Sequence, residues 1–258
     1  LPVAMVAPAP VSALLHAVAV VKAGVFGIVR VVYDVYGVES VSAMGVREGL
    51  IFLAGATILY GSLRAMFQDD FKRRLAYSTV SQVSYITLGT AIVGPLATIG
   101  GIVHLVHQGI MKITMFFCAG NLAEELHFHH ISELRGVGRR MPVTMGAFTV
   151  AAMGMIGVPP MAGFFSKWFL ALGALEADMP LIIGVLLLSS ILNAAYFLPI
   201  IYYAWFCEPQ HPLPERPAAQ RWEIHPYLLI PPVFTALMTV LLGLLAAMPF
   251  SQIGRAHV

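Results

Sequence analysis

Seven apolar stretches alternate with short charged or Pro/Gly-bearing connections, covering roughly 11–32, 49–67, 75–93, 97–123, 143–172, 180–206 and 227–249. Each is long enough to cross a ~30 Å hydrocarbon core at about 1.5 Å per residue. The pattern predicts an all-α integral membrane protein with about seven transmembrane helices. The longest connection, from Glu208 to Pro226, carries four prolines before Pro226 and reads as a polar loop, not a domain.

Two segments depart from plain apolar helix. The fifth is interrupted between Gly157 and Gly163, where Pro159 and Pro160 remove two amide donors and clash with the preceding turn. Backbone groups freed at membrane depth need protein or water to satisfy them. Broken helices recur at transporter ion sites for that reason, so the helix is expected to break at Gly157–Gly163 beside Lys167. The third segment carries a polar stripe, Ser78, Ser81, Gln82, Ser84 and Tyr85, within two turns. Such a stripe either hydrogen-bonds neighbouring helices or lines a hydrated path.

Composition agrees with the pattern: of 258 residues, 59% are apolar and 11% charged, and the mean hydropathy is +0.82. A net charge of +2 with no Lys/Arg run speaks against nucleic-acid binding. Cys118 and Cys207 lie in different segments without C-x-x-C spacing and read as small packing residues. The thirteen methionines read as gap-fillers between helices. There is no P-loop, dinucleotide fingerprint or nucleophile–base arrangement, so no cofactor, catalytic residue or redox centre is expected in this chain. Loop charge is lopsided. Nine Lys/Arg follow the second, fourth and sixth segments (Arg64, Lys72, Arg73, Arg74, Arg135, Arg139, Arg140, Arg216 and Arg221), against Arg30 and Arg47 on the other side. The positive-inside bias predicts that the first set is cytoplasmic.

Candidate chemistry comes from charges in the wrong solvent. Lys22, Lys112 and Lys167 lie within apolar segments without an Asp or Glu at depth. A cation in the bilayer core costs at least ~2.5–3.5 kcal/mol, so such lysines face a polar pathway or a partner. An amine held away from water can be brought within reach of neutral pH and then accept and release a proton. The alternative is a fixed structural cation paired with a partner's carboxylate, or, for Lys167, snorkelling beside a Pro kink. Lys22, eleven residues into 11–32, is too deep to snorkel easily. His104 and Lys112 lie about 80° apart on a regular helix and can share one wet face, whereas His107 and Lys112, about 140° apart, need a distorted turn to touch. Histidine can relay protons near neutrality. His16, about 120° from Lys22, is a weaker candidate. Ser78, Ser81, Gln82 and Gln108 are the candidate polar path. His127, His129 and His130, after Glu124 and Glu125, read as a solvated loop rather than a metal site.

Four stretches resemble the antiporter-like membrane subunits of respiratory complex I, membrane-bound hydrogenases and Mrp-type cation/proton antiporters: Ala7–His16, Asp70–Gln82, His104–Lys112 and Pro159–Lys167. The resemblance implies a subunit of about fourteen helices with two inverted five-helix repeats and a central row of buried Lys, His and Glu. It implies that residues 1–252 form one transmembrane domain corresponding to about helices 8–14. Lys22 would be the bridging lysine, Lys112 the central lysine and Lys167 the exit-side residue, with His104 on the connecting path. The family's first-repeat glutamate and lysine would lie upstream of residue 1. Gln108 stands where many members have histidine, and Ser84 where a glycine is common. The His-x-x-His-x4-Lys spacing, with Lys at 22, is most similar to Mrp D-type and related hydrogenase subunits. The implied function is proton translocation, with Na⁺ or K⁺ as a candidate second ion, by one subunit of a multisubunit complex in the cell inner (plasma) membrane. The alternative is a non-conducting membrane scaffold. The start, with Pro2, Pro8 and Pro10, reads as the middle of a longer protein, and residues 253–258 as an adapter-derived tail.

Overall fold

The computed structural model describes residues 9–14, 19–37, 40–41, 44–209, 212–214 and 222–253. Eight helices carry the architecture: α1 (Val20–Arg30), α2 (Val46–Met66), α3 (Phe71–Ile92), α4 (Pro95–Leu126), α5 (Pro142–Ile156), α6 (Ala162–Glu176), α7 (Pro180–Phe206) and α8 (Pro226–Ile253). Shorter helical pieces lie at Ala9–Ala13, Val31–Tyr36, Ile131–Leu134 and Val137–Arg140. Four helices, α2, α4, α7 and α8, are long and apolar enough to cross a membrane. α3 matches them in length but is more polar, and it is buried along almost its whole course. The chain is an integral, multi-pass membrane protein.

Prolines start many of these helices. Pro95, Pro142 and Pro180 stand at the first helical position, where a missing amide costs nothing and the fixed φ suits the helix. Asp70 caps α3, its carboxylate accepting from the Arg73 amide at 2.8 Å. α3 and α4 form an antiparallel hairpin around which α2, α5, α6 and α7 are arranged. One apolar core joins α3, α4, α5 and α7 at the end bearing Arg74, Arg135 and Arg140. A second joins α2, α3, α6 and α7 towards the opposite end.

The first segment departs from expectation. A span over 11–32 is expected, but α1 begins at Val20, after a separate turn at Ala9–Ala13. Lys22 therefore sits in the first turn of its described helix, and the depth inferred from a start at residue 11 does not carry over. The fifth segment breaks where the prolines demand it. α5 stops at Ile156, Gly157 adopts φ +97°, and α6 begins at Ala162. α8 packs against the break, and a Cβ on Gly243 would collide with the Pro160 carbonyl. The lopsided charges gather as expected: Asp70 bridges His130, Arg140 pairs with Glu125 at 3.0 Å, and Arg135 stacks over Tyr203, all at one end. Arg47, at the other end, donates to the Ile92 carbonyl. Arg216 and Arg221 lie outside the described residues.

Candidate functional site

The hairpin geometry aligns the polar residues of α3 with those of α4. Because the two helices run antiparallel, Lys112 faces Ser78 and His104 faces Gln82, one turn further along. Lys112 is fully buried. Its Nζ donates to Ser78 Oγ at 2.6 Å and to the Leu75 carbonyl at 3.2 Å, and it lies 5.4 Å from the centre of the Phe197 ring. No carboxylate takes part in these contacts.

From Ser78 the polar contacts continue into α7. The Tyr196 hydroxyl reaches Ser78 Oγ at 2.9 Å and also bonds Asn193 Oδ1 closely. Asn193 Nδ2 donates to the Met155 carbonyl at 3.4 Å, and Lys167 Nζ donates to the same carbonyl at 2.8 Å. Lys167 also donates to the Ile156 carbonyl at 3.1 Å and to Ser190 Oγ at 3.2 Å. A continuous file therefore links the two buried amines: Lys112, Ser78, Tyr196, Asn193, Met155 carbonyl, Lys167. Its chemistry is uneven. The hydroxyls of Ser78 and Tyr196 can accept and release a proton at one atom. The Asn193 amide and the Met155 carbonyl cannot, so they orient neighbours rather than pass protons.

The sequence explains why Lys167 binds there. In an unbroken helix the carbonyls of Met155 and Ile156 would accept from the amides at 159 and 160. Both positions are proline, so these acceptors have no amide. The ammonium of Lys167 replaces both donors at the negative end of the α5 dipole. Gly157 keeps the approach open: a Cβ there would sit 3.2 Å from Lys167 Cδ.

A second group surrounds His104, also fully buried. Its Nδ1 lies 2.8 Å from Ser166 Oγ and its Nε2 3.2 Å from Gln82 Oε1. Ser166 Oγ is also 3.2 Å from the Gly163 carbonyl, so its proton can point to the ring or to the backbone. With Gln82 accepting from Nε2, Ser166 donates to a neutral ring and turns to Gly163 when the ring is charged. The Tyr85 ring joins the groups, 5.2 Å from the His104 ring and 5.4 Å from Lys167 Nζ. Gln82 Nε2, the Tyr85 hydroxyl, His107 Nδ1 and both amide atoms of Gln108 are buried without a protein partner. Buried polar atoms are nearly always hydrogen-bonded, and a run of orphans with two to four polar neighbours is what ordered water satisfies.

The expected residues separate as follows. Lys112, Lys167, His104, Ser78 and Gln82 enter the two groups. Ser81 instead pairs with Ser62 of α2 at 2.9 Å, a helix-packing contact. His107 lies against the Ala162 backbone on regular helix, and no hydrogen bond joins it to Lys112. Gln108 is buried among the orphans. Lys22 is half-buried and within electrostatic reach of His104, but no hydrogen bond among the described residues links it to the file. His16 lies outside the described residues. Sequence reasoning missed Tyr196, Asn193 and Ser190. Their signal was present: Ser189, Asn193 and Tyr196 recur at four- and three-residue spacing in an otherwise apolar segment.

Residues 1–193 match the family described as NADH:quinone oxidoreductase/Mrp antiporter, TM. NADH-quinone oxidoreductase subunit N of Desulforudis audaxviator is 38% identical over 245 residues, 92% of this chain and 48% of that protein. A Na(+)/H(+) antiporter subunit of Alkalihalophilus pseudofirmus is 32% identical over 246 residues, 95% of this chain and 48% of that protein. Among solved structures, a chain of the Mrp complex from Dietzia sp. DQ12-45-1b superposes with a TM-score of 0.72 at 26% identity, covering 78% of this chain and 45% of that one. The chain thus spans about half the length of the relatives it matches.

Proposed function

We propose, for a chain that belongs to the NADH:quinone oxidoreductase/Mrp antiporter transmembrane family, that it forms the second half of a proton-translocating membrane subunit in a multisubunit complex. Lys112 is the central proton site and Lys167 the next station, with Ser78 and Tyr196 as the hydroxyl relay and His104 in the hydrated group beside them. The observation that carries this reading is the file of hydrogen bonds between two buried amines. Every partner of those amines is neutral, which suits a group that gains and loses a proton. A permanent buried cation would need a paired carboxylate. That weighs against the scaffold reading, in which each lysine is neutralised by a partner chain.

By loop charge, the end bearing Arg74, Arg135 and Arg140 faces the cytoplasm of the cell whose plasma membrane holds the protein. Lys22 is proposed to bridge towards the family's first repeat and His107 to lie on the hydrated side. Energy would come from an electron-transferring partner or from a counter-moving Na⁺ or K⁺ gradient. In the full-length protein within its complex, Lys112→Ala is expected to abolish proton pumping while assembly, followed by native gel, stays intact. Retained pumping would remove Lys112 from the mechanism. Loss of assembly with Lys112→Ala, rescued by Lys112→Arg, would favour the scaffold.

A further inference from the structure

A cavity of about 390 Å³ opens at the basic end, lined by Asp69, Arg74, Ser132, Arg135, Ala195 and Tyr203. Its rim, at Asp69, Ser132 and Ala195, is exposed. Its floor is the Arg74 side chain, only 8% exposed, whose guanidinium is spread across three backbone carbonyls. Nε donates to Gln68 at 2.9 Å, Nη1 to Tyr196 at 2.9 Å and Nη2 to Met66 at 3.4 Å. Directly beneath lies the proton file. Ser78 is one turn further along the same helix, about 6 Å of rise. Tyr196 gives its carbonyl to Arg74 and its hydroxyl to Ser78.

We infer that Arg74 seals the file from this solvent-facing vestibule, so that Lys112 exchanges protons with the basic-end solution only when the guanidinium is displaced. This rests on the proposed role of Lys112. Two properties make arginine suited to the position. Its charge is permanent and repels hydronium and alkali cations approaching along a narrow path. Its planar fork ties the end of α2 to α7 and closes the gap between them. Pro199, which has no amide, leaves α7 one donor short in the adjoining turn, and that makes room for an arginine to bond there. A purely structural staple would use the same bonds, so the test must read leakage and not stability.

The assembled full-length complex is placed in proteoliposomes under an imposed pH gradient with no driving reaction. Arg74→Gln is expected to raise passive proton flux severalfold, Arg74→Lys to stay near the parent, and Arg74→Gln combined with Lys112→Ala to lose the leak. Parent-level flux in assembled Arg74→Gln would overturn the seal while leaving the Lys112 proposal standing, since that is judged by Lys112→Ala alone. Should Arg74→Gln fail to assemble, single cysteines decide in a Cys207→Ser background that keeps Arg74. A membrane-impermeant thiol reagent added from the basic side should label Ala195→Cys and spare Ser78→Cys. Labelling of both, or of neither, overturns the inference.

Discussion

Tyr196 is where a single atom matters most. Its hydroxyl is the last group in the file that can itself take and give a proton before the Asn193 amide. Tyr196→Phe deletes that atom and keeps the ring that packs 4.5 Å from Phe197. Losing one buried hydrogen bond of about 1.4 kcal/mol corresponds to about tenfold in rate, so proton flux should fall by about that factor with little change in thermal stability. Parent-level flux in Tyr196→Phe would show that Ser78 is served from elsewhere. The lysines and His104 were legible in the sequence because a charge or imidazole inside an apolar run is conspicuous by its cost. Tyr196 and Asn193 were not, because a phenol or an amide is unremarkable in a membrane helix until its partner on another helix is known. Lys22 shows the opposite limit: its charge was obvious, but its depth depended on where its helix begins.

At the scale of elements, the break between α5 and α6 is the feature most fully written in the sequence. Two adjacent prolines delete the amides that Met155 and Ile156 would have used, and a lysine eleven residues beyond Ile156 fills both vacancies. What the sequence did not reveal was the direction of the lysine, which folds back onto the preceding helix instead of rising to an interface. Gly157 sets that return. Its φ of +97° is one that L side chains rarely adopt, and its bare Cα faces the lysine stem. Gly157→Ala should therefore destabilise the protein by about 1–3 kcal/mol of backbone strain and displace Lys167. Thermal unfolding in detergent and pumping should both decline. A variant with parent stability and parent flux would mean the turn adapts freely.

Across the whole molecule, the basic end is held by polar ties spanning distant parts of the chain. The Glu223 carboxylate, 3% exposed, accepts from the Val143 amide at 2.8 Å and from the Thr144 amide and hydroxyl at 2.6 Å. It caps the N-terminus of α5 from 80 residues away in sequence, favourably placed at the positive end of that helix. Arg140 reaches Glu125 and the Pro214 carbonyl beside it. Glu223→Ala removes a charged cap and should cost about 1–3 kcal/mol, seen as a lower melting temperature, with Glu223→Gln intermediate. An unchanged melting temperature would mean solvent replaces the carboxylate fully. The sequence marked this connection only as a proline-bearing loop, because a glutamate that caps a remote helix looks no different from one in water.

The same end fastens α3 to α4. The Phe71 amide bonds the His129 carbonyl and the Ile131 amide bonds the Asp69 carbonyl, each at 2.9 Å, while only Val93 and Gly94 join the two helices at the far end. Pinned at top and bottom, the pair behaves as a truss, and the gap across which Lys112 meets Ser78 has little freedom to widen. Mechanical slack must then reside in the third wall. If a partner subunit pulls or pushes on this machinery, the stroke is delivered through α7.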